Sequence, residues 1–233
     1  MARAKRSYDQ ETLLNDSSLK WEGFDRESLM ASVREKLSQG PITHLRHPEV
    51  RYEVTDHCNA ECIMCPRDMH KFGREHGIMT FDNYKRSLDE VIELGCRQIV
   101  LTGFGEPLVD KQLEKKVEYA KGRGLRTYII SNGSLLTKKR ATNLIQAGLD
   151  ELRISFYGMR KETYETVMVG LKFDVTMKNL LGFLELRDEL GFKRPRLELN
   201  WLELPENAGD TEAFQEYWEP RADAIEIWKP HNF

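Results

Sequence analysis

The sequence predicts an α/β fold: six parallel strands alternating with helices in an open, partial (β/α)6 TIM-like barrel, behind an N-terminal helical extension. Three observations lead there. From residue 50 onward, apolar extended runs alternate with amphipathic helical stretches. Four of the five helical stretches close on a glycine. Short polar or glycine-rich motifs follow each of the first four strands, at the end where folds of this kind carry their chemistry.

Each element follows from local signals. Residues 50–55 form the first extended run, and 81–94 a helix opened by Thr80 and closed by Gly95. Strand 98–102 is apolar, and helix 111–121 ends at Gly122 and Gly124. Strand 126–131 runs into Asn132-Gly133, and helix 138–147 closes on Gly148. Strand 151–156 leads to Tyr157-Gly158, and helix 174–190 closes on Gly191. Strand 196–202, helix 211–218 and strand 224–228 complete the series. Strands joined through helices run parallel, with right-handed crossovers. Six units are too few for a closed eight-stranded barrel but fit an open one. A flat, doubly wound sheet is the alternative, and periodicity does not separate the two.

The first 45 residues read differently. Residues 8–19 are polar, and 26–37 carry an amphipathic helical pattern stopped by Gly40 and Pro41. The expected division is therefore 1–45 as the extension and 46–233 as the barrel domain.

With 233 residues, 40% of them hydrophobic, the chain supports one sizeable core. Charged residues make up 31% and nearly cancel to a net −3. That balance gives no electrostatic reason to expect nucleic acid. The basic start at 2–6 and the lysines of 111–121 read as solvated surface. No apolar stretch reaches the ~18 residues a membrane span needs, and polar residues follow the basic start, unlike a secretory signal. The expectation is a cytoplasmic protein without membrane partners. Three of the four cysteines fall within eight residues, which fits a metal or cluster site in a reducing compartment better than disulfides.

Those three are Cys58, Cys62 and Cys65, directly after the first strand. Soft thiolates at spacings of four and three favour zinc or iron–sulfur. A structural zinc takes four protein ligands, as does a cluster that only carries electrons. Three ligands leave one metal position open. Cys96 is a poor fourth, because it precedes the second strand at the opposite end of the sheet. A strand of about six residues separates the two ends by ~20 Å, against a metal–sulfur bond of ~2.3 Å. Cys96 is expected to be buried packing, and His57, His70 and His76 surface or packing residues.

The C-x3-C-x2-C triad after the first strand of such an array resembles the radical S-adenosylmethionine (SAM) superfamily. Thr102-Gly103-Phe104-Gly105-Glu106-Pro107, ending the second strand, resembles that family's Gly-Gly-Glu-Pro segment. Ser131-Asn132-Gly133 is similar to its polar turn after strand three, and Ile154-Ser155 to its Ile-Ser segment on strand four. The resemblance covers about 50–233. It implies that Cys58, Cys62 and Cys65 hold a [4Fe-4S] cluster with one iron open for SAM. It also implies SAM contacts at Met64, Gly103, Gly105, Glu106, Pro107, Asn132 and Ser155, and adenine lining around 228–230, including Lys229.

In that family one electron breaks a carbon–sulfur bond of SAM, and the 5'-deoxyadenosyl radical released takes hydrogen from a substrate. A peptide or a small, sugar-like molecule is the implied substrate, with an electron donor such as flavodoxin or ferredoxin. Cys65-Pro66-Arg67, Gly77-Ile78-Met79-Thr80 and the tail 229–233 resemble the branch carrying a SPASM domain. The sequence stops where that domain would begin, so the expectation is either a chain cut short before it or a minimal member with a single cluster. Three departures stand out: Met64 replaces an aromatic, Tyr157 an aspartate, and Met168-Val169-Gly170 lies where an arginine often binds the SAM carboxylate. Lys161 or Lys172 are substitutes for that arginine. Glu198, Asn200 and Glu203 are candidates for groups facing the substrate. The competing readings are a zinc-stabilised module and an electron-transfer protein that does not cleave SAM.

Overall fold

A computed structural model describes residues 48–69 and 76–229, together with the isolated helical positions Glu27, Ala31 and Arg34. The chain divides into two compact units, Met1–Thr43 and His44–Phe233. The expected N-terminal extension lies almost wholly outside the described residues, as do His70 and residues 230–233.

Six strands follow one another in space as they do in sequence, from β1 to β6, and every pair is parallel. They are β1 (Glu49–Tyr52), β2 (Gln98–Leu101), β3 (Arg126–Ser131), β4 (Glu151–Ser155), β5 (Arg196–Leu202) and β6 (Ala224–Trp228). This order decides between the two sequence-level alternatives. A doubly wound sheet reverses its strand order once. Here each right-handed crossover steps the same way, so all helices fall on one face and the other becomes the inside of an open barrel.

The helices bounded within the described residues are α1 (Pro66–Met69), α2 (Phe81–Glu93), α3 (Leu113–Gly122), α4 (Lys138–Gln146), α5 (Lys161–Val167), α6 (Phe173–Glu189) and α7 (Thr211–Trp218). In sequence neighbourhood α2 packs on α3, α3 on α4, α4 on α6 and α5 on α6. Thr80 caps α2 by accepting from the Asn83 N–H, and Thr137 caps α4 by accepting from Arg140. Gly95, Gly124, Gly148 and Gly191 take positive φ where helices end, the backbone shape that glycine adopts without strain.

The two faces of the sheet differ in chemistry. On the helix side, Ile99, Leu101, Ile129, Leu152, Ile154, Leu197, Leu199 and Trp201 are buried. They meet Leu88 and Tyr84 of α2, Val117 of α3, Leu144 of α4, Phe183 of α6 and Trp218 of α7. Alternate residues face the other way. Tyr128, Arg153, Ser155, Glu198, Asn200 and Glu226 are half-buried to exposed on the concave side. A parallel sheet is usually apolar on both faces, so a polar inner wall marks a cavity for a ligand.

Sequence reading missed α1 and α5, because four and seven residues are too short for a periodic pattern to show. It also placed the lysines of 111–121 on the surface, which is wrong for Lys116. That side chain is fully buried, 2.5 Å from Asp110 and donating to the Met79 carbonyl at 2.6 Å. A charge of this kind is buried only with a partner, and Asp110, on the turn after β2, supplies it.

Candidate cluster and cofactor site

The three cysteines lie on the loop leaving β1, at the C-terminal end of the sheet, and are half-buried and free of disulfides. Their thiols feel one another electrostatically. Burial pushes Cys62 up to about 12, with the nearby Cys58 and Cys65 adding to the rise. Burial also raises Cys58, eased by a hydrogen bond donated from the Ala60 backbone, with Glu106 and Cys65 adding. Such thiols lose their protons to a metal. Cys96 belongs to a different neighbourhood: it is fully buried, its Sγ sits 3.2 Å from the Gln98 carbonyl, and Val50, Arg97 and Glu49 surround it. All of these mark the N-terminal end of the sheet.

Among the described residues no three His, Cys, Asp or Glu side chains are gathered closely enough to hold a metal ion. As a donor set, three soft thiolates fit an iron–sulfur centre such as a [4Fe-4S] cluster.

Three neighbours hold the loop. The turn after β2 comes first: the Glu106 N–H donates to the His57 carbonyl at 2.8 Å. A Cβ on Gly105 would lie 2.2 Å from the Thr55 carbonyl oxygen, and one on Gly103 would lie 2.5 Å from Cγ of Glu53. The close approach these glycines permit is thus to the chain itself. The second neighbour is the turn after β3. Asn132 donates to Asn59 at 3.0 Å, Asn59 to the Ser134 hydroxyl at 2.8 Å, and Ser134 back to Asn132 at 2.7 and 2.9 Å. The third is the segment after α5, where Val169 and Val167 carbonyls accept from the Glu61 and Ile63 N–H groups at 2.8 and 3.1 Å. There the Met168 sulfur sits 3.7 Å from the Cys62 thiol, and Gly170 turns with φ +90.

Glu106 is buried, and its carboxylate is wholly engaged by protein. It accepts from Ser131 Oγ and Asn132 N–H at 2.7 Å each and from Leu108 N–H at 2.9 Å. Burial raises its pKa, and these three donors oppose the rise. Its visible role is to tie the β2 turn to the β3 turn. Pro107 opens a short 3₁₀ turn directly behind it.

The other expected contacts spread along the same rim. Met64 is half-buried beside the core. Ser155 is half-buried on the concave face, opposite Asn200. Tyr157 shares that face; burial raises its phenol pKa, with a hydrogen bond from Ser155 opposing and the Cys62 thiol adding. The phenol therefore reaches toward the cysteine loop. Lys229 is exposed, 3.9 Å from Glu203. Lys161 and Lys172, the expected substitutes for a carboxylate-binding arginine, are exposed and paired with Asp174 at 2.6 Å and Glu165 at 2.9 Å. His57 and His76 are exposed, and His76 lies 3.1 Å from Asp56.

Sequence reading missed Asn59, Met168 as a neighbour of Cys62, and Arg153 and Glu226 on the inner wall. Strand alternation carried a signal for Arg153, which stands two residues before Ser155. Nothing in the sequence tied Asn59 to Asn132.

An open parallel barrel with three free thiols at its C-terminal end is an architecture that can hold a metal or cluster centre there. The sequence pattern of the Radical SAM superfamily matches residues 52–187, and the chain belongs to that superfamily and is an enzyme, as are the relatives it matches. It is 36% identical to the PqqA peptide cyclase of Bradyrhizobium diazoefficiens over 114 residues, 48% of this chain and 29% of that protein. It is 30% identical to a probable GTP 3',8-cyclase of Methanococcus maripaludis over 139 residues, 58% of this chain and 45% of that protein. The chain thus spans less than half the length of these relatives.

In structure it resembles Streptococcus suis SuiB bound to S-adenosylmethionine, with a TM-score of 0.64 and 17% identity, over 93% of this chain and 49% of that one. Methylornithine synthase matches with a TM-score of 0.59 and 15% identity, over 94% of this chain and 62% of that one. Both likenesses concern the fold. No described helix is long and apolar enough to cross a membrane.

Proposed function

We propose that Cys58, Cys62 and Cys65 hold a [4Fe-4S] cluster at which this chain reductively cleaves SAM, and that the radical produced takes hydrogen from a peptide or small-molecule substrate. One observation carries the reading: three free thiols converge at the C-terminal end of the sheet, while Cys96 lies at the other end. Bound there, the cluster and SAM supply one-electron cleavage of a carbon–sulfur bond and a carbon-centred radical.

The chain's own residues provide the shape. The β2 turn, braced by Gly103, Gly105 and Glu106, offers backbone groups beside the loop. Ser155 and Tyr157 face the cavity between the loop and the inner wall. The apolar layer behind the sheet keeps that cavity rigid. The peptide cyclase among the relatives supports a peptide substrate, and the GTP cyclases support a small molecule. The reading includes residues 46–233 as the catalytic domain, a reducing cytoplasmic setting, and electrons from a flavodoxin- or ferredoxin-type donor.

Anaerobic reconstitution with iron and sulfide tests this. The expected results are about four irons per chain, a paramagnetic resonance signal on reduction that changes when SAM is added, and 5'-deoxyadenosine in the products. Cys58→Ala is expected to lose all three. If no 5'-deoxyadenosine forms and Cys58→Ala matches the parent, the reading fails. A single tightly bound zinc would favour the structural module instead.

A further inference from the structure

The inner wall of β4 to β6 carries charges that neither the cysteine loop nor its braces use. Arg153 and Glu198 are register partners, and Glu226 faces the same way as Glu198 through its pairing with Asn200. A single nitrogen of Arg153, Nη2, serves both carboxylates, at 2.5 Å from Glu198 and 3.1 Å from Glu226. The guanidinium lies 5.4 Å from the Tyr128 ring centroid, and the Tyr128 hydroxyl sits 3.5 Å from Glu198.

Charge does not balance in this layer. Among the described residues Arg153 is the cation paired with both glutamates, so one negative charge is left over. The layer below holds two simple ion pairs, Arg126 on Glu151 at 2.6 Å and Arg51 on Glu49 at 3.2 Å, in which no arginine serves two carboxylates. Arg196, in that lower layer, donates to the Asp223 carbonyl instead. A fold needs one carboxylate to neutralise a buried guanidinium; the second adds desolvation and repulsion.

The surplus also faces the open side. Glu226 is 43% exposed, against 13% for Glu198. Trp228, two residues on and on the same face, is 44% exposed. A carboxylate beside an accessible indole suits a cation with an apolar stem.

We propose that Glu226, backed by Glu198 and in competition with Arg153, binds a primary ammonium group of the substrate, such as a lysine side chain or an aminated small molecule. This rests on the reading of the cavity as a SAM-dependent site and names the class of molecule it takes. The ammonium replaces part of the Arg153 contact to Glu226 and brings the layer to neutrality. It anchors the substrate on the wall facing the cysteine loop, leaving its stem to run toward Ser155 and Tyr157.

Three probes test it by calorimetry on the reconstituted, SAM-loaded protein: n-pentylammonium, the neutral 1-hexanol and the anionic hexanoate. The ammonium is expected to bind at least tenfold more tightly than either. Glu226→Gln is expected to weaken it at least fivefold. Arg153→Gln, which removes the competing guanidinium, is expected to bind it at least as tightly as the parent. Circular dichroism melts confirm that both variants are folded. Absent ammonium binding, equal binding of hexanol or hexanoate, an unaffected Glu226→Gln, or a loss in Arg153→Gln as large as in Glu226→Gln would each overturn the proposal. The resonance response to SAM is read separately. If it is present and the ammonium does not bind, only the substrate class fails; if it is absent, the reading of the site fails first.

Discussion

At the ends of β1 to β3, polar side chains bind other parts of the protein. Glu106 has three internal donors, Asn132 is shared between Asn59 and Ser134, and Asp110 is held by the buried Lys116. On the inner wall of β4 to β6, Arg153, Glu198 and Glu226 stay half-open, with one charge unmatched. The first region is braced from several directions to hold a loop in shape. The second is left with electrostatic capacity toward the cavity. The same six-unit architecture thus supplies a rigid rim on one side and a receptive wall on the other.

The comparison breaks most readily at the rim. Lys116→Met leaves Asp110 charged and buried without its partner, and is expected to cost about 3–5 kcal/mol, measured by denaturant unfolding. Gly105→Ala places a methyl 2.2 Å from the Thr55 carbonyl oxygen. The backbone must shift at the entrance to the cysteine loop, at about 3 kcal/mol. Iron retained after gel filtration of the reconstituted protein should fall with it. A variant that keeps both stability and iron would show the brace to be unimportant.

Asn132→Ala removes the link between the β3 turn and Asn59. Its expected cost is about 1–2 kcal/mol, from a buried hydrogen bond lost and a partner left unsatisfied. Glu226→Gln, by contrast, should change stability by less than about 0.5 kcal/mol, because the pair is partly solvent-screened. Rim variants should therefore weaken the fold while this wall variant spares it. A large destabilisation in Glu226→Gln would erase the distinction.

Acid tests the scaffold beneath both regions. Burial alone would raise Asp150, but bonds from Lys121, Thr127 and Arg194 outweigh it and hold its pKa below the ordinary 3.8. Asp210 is likewise lowered, burial being outweighed by the Met159 and Arg160 N–H groups and the Arg160 side chain. A carboxylate depressed in the folded state adds stability above its unfolded pKa, and loses it as pH falls through the folded value. Stability should thus decline below about pH 4, and Asp150→Asn should flatten that decline. Melting temperatures between pH 7 and pH 3 measure it.

Much of this was readable before any coordinates. Strands 126–131, 196–202 and 224–228 were placed with their observed bounds, because alternation of apolar and polar residues is a local signal. The cysteine triad was readable for the same reason, since its three members lie within eight residues. Cys96 could be set apart because strand direction separates the two ends of a sheet. Lys116 was misplaced because, although Asp110 is only six residues away, its burial depends on Met79 and Tyr84, which are distant in sequence. Glu106 looked like a ligand contact, and its three internal donors come from turns joined only by strand pairing.

The sequence by itself determined the alternation of strands and helices, the turns that end them, and a loop carrying three cysteines within eight residues. Each depends on residues near in the chain. Tertiary structure alone decided that the sheet winds one way, giving an inside to the barrel. It also decided that Asn59, Asn132, Glu106 and Met168 close around the loop, and that two glutamates share one arginine on the wall. Those facts depend on register between strands far apart in sequence, and no local pattern encodes which side chains will then be neighbours.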